Sequence, residues 1–369
     1  MLENTDSRTR RAALVTLVLV YAVILAGSVV RSTGAGMGCP DWPKCFGHYI
    51  PPTDISELQF EEGRHFRAGH FIIWQEALWK AKHDLVAGRE INPDDWEKYT
   101  KHDYAQFNAA HTWTEYVNRL TGALLGVAAL VMMLFSLRYW RRDRIVTVAS
   151  ISALLLIGFE AWLGALVVES KLEPVKITTH MVAALVILAL ILWLVRRVSP
   201  DTPATPILSK TTKRLLLLGL LLTLVQTVLG TQVREDVDII ATLMGEQNRA
   251  TWVDQLGTYF VIHRSFAIAL MIVNGIIVQR LLVEAAGNSK LRRKGVLLAA
   301  VILAGIGTGI ALSRFGMPAV AQPAHLLLAM FLFGVQFDLL LRGSARRREP
   351  EQIAAGEGHR MAHTTVAGA

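Results

Sequence analysis

The chain has 369 residues, of which 52% are hydrophobic and only 18% charged, and its mean hydropathy is +0.37. That balance excludes an ordinary soluble domain of this length and fits a polytopic membrane protein. The net charge of +8 would suit a nucleic-acid binder only if position is ignored. The basic residues cluster between apolar runs, which is a membrane-topology signal and leaves no nucleic-acid patch.

Eight apolar runs occur, at about 12–30, 116–137, 145–168, 177–195, 215–233, 259–282, 295–312 and 320–341. Each is near the roughly 20 residues needed to cross a bilayer; the second and eighth are interrupted by polar residues. No cleavage site follows the first run, so it reads as a retained helix and not a signal peptide. Arg8, Arg10 and Arg11 precede the first run, and Arg138, Arg141, Arg142 and Arg144 follow the second. Further clusters separate runs four and five (Arg196, Arg197, Lys210, Lys213, Arg214) and runs six and seven (Arg280, Lys290, Arg292, Arg293, Lys294). Arg342, Arg346, Arg347 and Arg348 follow the eighth. With alternating helices all these clusters share one side, so both termini, residues 1–11 and 343–369, are expected to be cytoplasmic tails.

The first helix ends in Gly27-Ser-Val-Val-Arg31 and runs into Thr33-Gly-Ala-Gly-Met-Gly-Cys39-Pro-Asp-Trp-Pro-Lys-Cys45. Glycine and proline make this stretch irregular. Its two cysteines are the only ones, and on the oxidising side they read as a disulfide. That bond is either a staple for the loop or a redox pair. Residues 46–110 follow as a long outer loop. Phe71, Trp74, Leu78, Ala81 and Leu85 recur at three- and four-residue steps, which predicts an amphipathic helix lying on the membrane or capping the bundle. His65, His70, His83 and His102 lack metal-site spacing and read as solvated or capping residues.

The second membrane run opens on His111-Thr-Trp-Thr-Glu115-Tyr-Val-Asn118-Arg119. In a helix His111, Glu115 and Asn118 share a face. Glu115 reads either as a rim carboxylate paired with Arg119, one turn on, or as a carboxylate placed to work on a substrate. His180, His263 and His325 open three later helices. Histidines from facing helices of a bundle suit the two axial positions of haem iron. A structural zinc site would want four converging ligands. Glu160, before Gly164, aligns with Gln226, before Gly230, and both are expected to hydrogen-bond between helices. Arg31 and Arg234 close odd-numbered helices and read equally as partners of haem propionates or as interface anchors.

These motifs repeat. Gly27-x-x-Val-Arg31 matches Gly230-x-x-Val-Arg234, Asn118-Arg119 matches His263-Arg264, and His180 matches His325. The expected fold is therefore an all-α integral membrane protein of eight transmembrane helices, arranged as two repeated four-helix bundles. The halves are 12–196, carrying outer loop 32–110, and 214–342, joined by a cytoplasmic linker at 197–213.

The cysteine loop, Glu115-Tyr-x-x-Arg119 and the helix-start histidines resemble haem A synthase, the CtaA/Cox15 family, over about 12–342. The resemblance implies an enzyme of the bacterial inner membrane that oxidises a ring methyl of haem O to a formyl group, making haem A for terminal oxidases. It implies a haem b held by His263 and His325, a substrate haem on His180, and an oxidation served by Glu115. It names haem O synthase, a farnesyl transferase, as a partner; Arg119 and Arg264 join Arg31 and Arg234 as candidate propionate contacts. A homo-oligomer is compatible with the sequence. One position departs from the family: its motif is Glu-Tyr-x-His-Arg, and Asn118 stands where the histidine should be. His111 lies two turns earlier, about 10.5 Å along the same face. It is the expected substitute ligand, with His180 alone beside Asn118 as the alternative. The competing reading is a dihaem b cytochrome passing electrons between a quinol and an outer partner. A transporter would put ionisable residues at mid-membrane, whereas here they crowd the outer ends.

Overall fold

A computed structural model describes residues 3–100, 107–170, 173–199 and 208–343. His102, residues 200–207 of the linker and almost all of the C-terminal tail lie outside the described residues. Among the described residues, eight helices are long and apolar enough to span a membrane: α1 Glu3–Ser32, α2 Ala109–Ser136, α3 Arg144–Glu169, α4 Pro174–Arg197, α5 Lys210–Met244, α6 Thr258–Glu284, α7 Ser289–Arg314 and α8 Ala321–Gly343. A bilayer leaves no solvent for free backbone groups, so each apolar run closes its hydrogen bonds within itself. Helix α1 continues back through the basic segment to Glu3, and α5 runs past Arg234 to Met244. Caps set several starts: the side chains of Asn108, Ser209 and Asn288 accept from the backbone N–H of His111, Thr212 and Leu291.

Helices α1–α4 pack in a ring, α1 on α2, α2 on α3, α3 on α4 and α4 on α1; α5–α8 close in the same order. Helices α1 and α4 meet α8, and α4 meets α5, where the rings adjoin. The first ring's core includes Val20, Ala129, Met132, Leu188 and Ile191, and the second's Leu216, Ile277, Leu281 and Leu298.

The outer loop departs from expectation. The segment predicted as an amphipathic helix, Phe71 to Leu85, is β structure. Strands β2 Phe71–Trp74 and β3 Ala77–Ala81 form a hairpin, β5 Trp96–Lys98 adds to β3, and β1 His65–Phe66 pairs with β4 Leu85–Val86. Phe71-Ile-Ile-Trp74 is rich in aromatic and β-branched residues, which favour a pleated surface. The chain reverses at Gln75 and Glu76, both with positive φ (49° and 56°), as a two-residue hairpin turn requires. The buried positions were legible, their geometry was not. Phe71 and Leu78 pack with Cys39, Cys45, Phe46 and Leu58, whereas Ala81 packs in a second cluster with Phe66, Ile72 and Trp96.

Candidate functional site

Each even-numbered helix places one polar side chain against a glycine of the helix before it. A Cβ built on Gly164 would lie 3.5 Å from His180 Cε1; on Gly230, 3.3 Å from His263 Cε1; on Gly309, 3.3 Å from His325 Cε1. A Cβ on Gly27 would lie 3.7 Å from Asn118 Oδ1. The four positions are thus alike in setting, and the glycines leave the room an imidazole needs.

In the second ring the His263 and His325 ring centres stand 6.3 Å apart, 68° from coplanar. Metal–imidazole bonds of about 2 Å on both sides of one iron would separate ring centres by roughly 6 Å, so the pair fits an axial ligand set. His325 Nδ1 is 2.9 Å from Thr308 Oγ1 and 3.1 Å from the Gly305 carbonyl oxygen, which orients the ring. Gln226 Nε2 donates to the His263 carbonyl oxygen at 3.0 Å and lies 3.4 Å from His263 Nε2. His263 Nδ1 is buried with no partner among the described residues. A buried nitrogen left open in this way is what a metal-binding pair presents.

The first ring differs. Glu160 Oε1 stands 3.1 Å from His180 Nδ1, an ion-pair distance without hydrogen-bond alignment. Asn118 Oδ1 is buried and unpartnered among the described residues. His111 does not join this level. Its backbone lies two turns outward against Gly38, where an added Cβ would come within 2.6 Å of the His111 carbonyl.

The start of α2 grips the cysteine loop. Cys39 and Cys45 are bonded. Glu115, 3% exposed, accepts from the Cys39 N–H at 2.9 Å and pairs with Arg119. Arg119 also donates to the carbonyls of Asp41 (2.6 Å), Lys44 (3.0 Å) and Cys39 (3.5 Å). Thr112 Oγ1 donates to the Gly38 carbonyl at 2.8 Å. The expected Glu115–Arg119 pair is therefore present, and it also binds the disulfide turn to the mouth of the first ring. Burial pushes the nearby Asp41 carboxyl up, against the Gly47 N–H and Arg119, which pull it down.

The arginines divide. Arg31 donates to Asp238 Oδ2 at 2.9 Å. Arg234 pairs with the same carboxylate, with Gln322 and, at 2.9 Å, with the Arg31 carbonyl. The two rings are thereby tied at the ends that carry the histidines. Arg264 is exposed, stacks over Phe260 and has no carboxylate partner among the described residues. Asp238 and Thr308 were not singled out from sequence. Asp238 follows Arg234 by one helical turn, a spacing that could have pointed to it; Thr308 carried no signal beyond lying next to Gly309.

Fold and site define a multi-pass membrane protein with a histidine pair in one ring, and a histidine and an asparagine beneath a disulfide-bonded cap in the other. The model of the COX15-CtaA family, described as cytochrome oxidase assembly protein, matches residues 10–76 and 86–337, and the chain belongs to that family. It is similar to proteins named haem A synthase. The one from Shewanella oneidensis is 26% identical over 186 residues, 50% of this chain and 44% of that protein. The one from Sinorhizobium fredii is 23% identical over 54% of this chain and 50% of its own length. The one from Methylobacterium nodulans is 26% identical over 345 residues, 86% of this chain and 87% of that protein. The chain spans about half the length of the first two of these relatives.

Proposed function

We propose that this chain is a membrane oxidoreductase that converts haem O to haem A, taking the substrate haem in the first ring. The observation that carries the reading is the inequality of the two rings. One offers two imidazoles with neutral partners. The other offers one imidazole, an unpaired asparagine oxygen and a buried carboxylate under a disulfide loop. A carrier of electrons needs neither a buried carboxylate nor a disulfide loop beside its haem; a site that oxidises its haem has a use for both.

Haem b held by His263 and His325 would supply one-electron transfer. In the first ring His180 binds the substrate iron and Glu160 orients its ring, while Asn118 leaves the opposite face accessible. On this reading Asn118 fills the family's ligand position and His111 does not, because only Asn118 faces the helix glycine. Glu115 uses two of its acceptor sites on Cys39 and Arg119, and a carboxylate keeps others for a proton or a developing positive charge. Arg264 is the arginine left open for a propionate. The two rings form a parallel repeat, both termini face the cytoplasm, and haem O arrives from the farnesyl transferase that makes it.

The test is the pigment of the purified protein, before and after feeding haem O with an electron acceptor. Haem b together with haem O or A, and formyl product, is expected; haem b alone with no product overturns the reading. Glu115→Ala should keep substrate haem while turnover falls by about 10²-fold or more. Reporter fusions to the 138–144 connection test the topology, and an outside location would refute it.

A further inference from the structure

At the end of the helices opposite the histidines, a cavity of about 410 Å³ opens between the rings. Helices α1 and α4 form one wall, α7 and α8 the other. Its chemistry is graded along the helices. Arg10, Arg196, Lys294 and Arg342 stand at the mouth, and Leu14, Leu17 and Leu192 lie further in. Tyr21, stacked on Phe331 at 4.5 Å, closes the inner end against Gly334.

Among the described lining residues, cations outnumber carboxylates at the mouth. Asp338, 8% exposed, is met by Lys294, by Arg342 at 2.8 Å and by Arg196 at 3.7 Å. Three cations gather on one carboxylate, and Arg10 adds a fourth charge to the same lining. Crowded like charges at a membrane boundary call for an anion. The apolar inner walls call for a hydrocarbon chain attached to it. Inorganic phosphate would answer only the first demand.

We infer that this cavity binds an anionic phospholipid, its phosphate among Arg10, Arg196, Lys294 and Arg342 and one acyl chain along Leu14 and Leu17. Basic pockets between membrane helices take such headgroups, and the volume is that of a small-molecule site. The occupant is not the substrate haem bound for iron ligation. His180 and Arg196 sit at opposite ends of α4, about 24 Å apart at the helical rise. The lipid would bridge the rings at this end as Asp238 bridges them at the other. The inference does not depend on the proposed activity.

The test uses the full chain, delipidated in an uncharged detergent and supplied with phosphatidylglycerol, phosphatidylcholine of the same chains, or inorganic phosphate. Retained lipid is read by native mass spectrometry and stability by thermal unfolding. Phosphatidylglycerol alone should be retained and should raise the melting temperature by several degrees. Equal effects of phosphatidylcholine would mean ordinary boundary lipid, and equal effects of phosphate a free-anion site; either overturns the inference. Arg10→Gln leaves the Asp338 pairs intact and should weaken retention several-fold. Leu17→Trp fills the cavity without removing charge and should abolish it. Retention unchanged in both variants would place the lipid elsewhere.

Discussion

About three turns in from the histidines, Thr223, Asn274 and Gln336 of the second ring form a buried polar chain. Gln336 Nε2 donates to Asn274 Oδ1 at 2.8 Å, and Thr223 Oγ1 donates to Gln336 Oε1 at 3.0 Å. At the corresponding places, counted from the matching glycine, asparagine and histidine, the first ring has Val20, Ala129 and Ile191, all buried. A satisfied polar network in an apolar interior has few alternative arrangements, because any shift strands a donor or acceptor. Apolar packing is more tolerant of movement. On the proposed function, the second ring's single geometry would suit a resident cofactor, and the first ring's looser packing a molecule that enters and leaves. The histidine partners follow the same division, with neutral Gln226, Thr308 and Gly305 in one ring and the Glu160 carboxylate in the other.

The comparison breaks most decisively at the histidine pair. His263→Ala or His325→Ala should abolish a low-spin b-type spectrum in purified protein while His180→Ala leaves it in place. An unchanged spectrum in both of the first two variants would remove the asymmetry altogether. Next comes Asn118→His, which makes the first ring resemble the second. Gly27 leaves the room, so the variant should fold, add a second low-spin signal when substrate haem is present, and keep its turnover, since it restores the family's motif. His111→Ala should change haem content little; loss of the first-ring haem would restore His111 as the ligand.

The polar chain offers a subtler test. Gln336→Leu leaves the buried Asn274 Oδ1 without its donor, while Thr223 keeps its bond to the Gly219 carbonyl, and should cost about 1–3 kcal/mol, read as a lowered melting temperature. Replacing all three by Val, Ala and Ile should cost less than that single change. Glu160→Gln gives His180 the neutral partner that His263 has. It should raise the midpoint potential of the first-ring haem by tens of millivolts without loss of haem, since an anionic partner makes the imidazole a stronger donor.

The smallest effect concerns the cap over the first ring. His48 and His70 stack with ring centres 4.0 Å apart. Burial, with His48, Lys44 and Arg67 nearby, pushes His70 down to about 4, and burial also lowers His48. A histidine that resists protonation only when folded contributes stability above its unfolded value near 6.5, and loses it as pH falls towards 4. Asp41, raised by burial, works in the opposite sense at the acid end. Protection of the β2 and β3 amides, corrected for their intrinsic exchange rates, should therefore fall between pH 6.5 and 4, and His70→Phe should flatten that dependence.

Hydropathy alone determined the eight spans, because a bilayer demands about 20 apolar residues per crossing and backbone pairing within each. The helix-start histidines and the cysteine pair stood out as local departures from an apolar or loop background, and Asn118 through the repeat and the family motif it departs from. The hairpin at Phe71–Ala81 was misread because its buried residues happen to fall at helical spacing, and its turn, Gln75-Glu76, carries none of the glycine or asparagine that usually marks such a reversal. What remained for the tertiary structure was every pairing between elements: Asn118 with Gly27, Glu160 with His180, Glu115 with Cys39, Arg31 with Asp238. A sequence fixes the face a side chain takes on its own helix through local periodicity. Which neighbour that face meets depends on how the rings close, and that is set by the packing of all eight helices together.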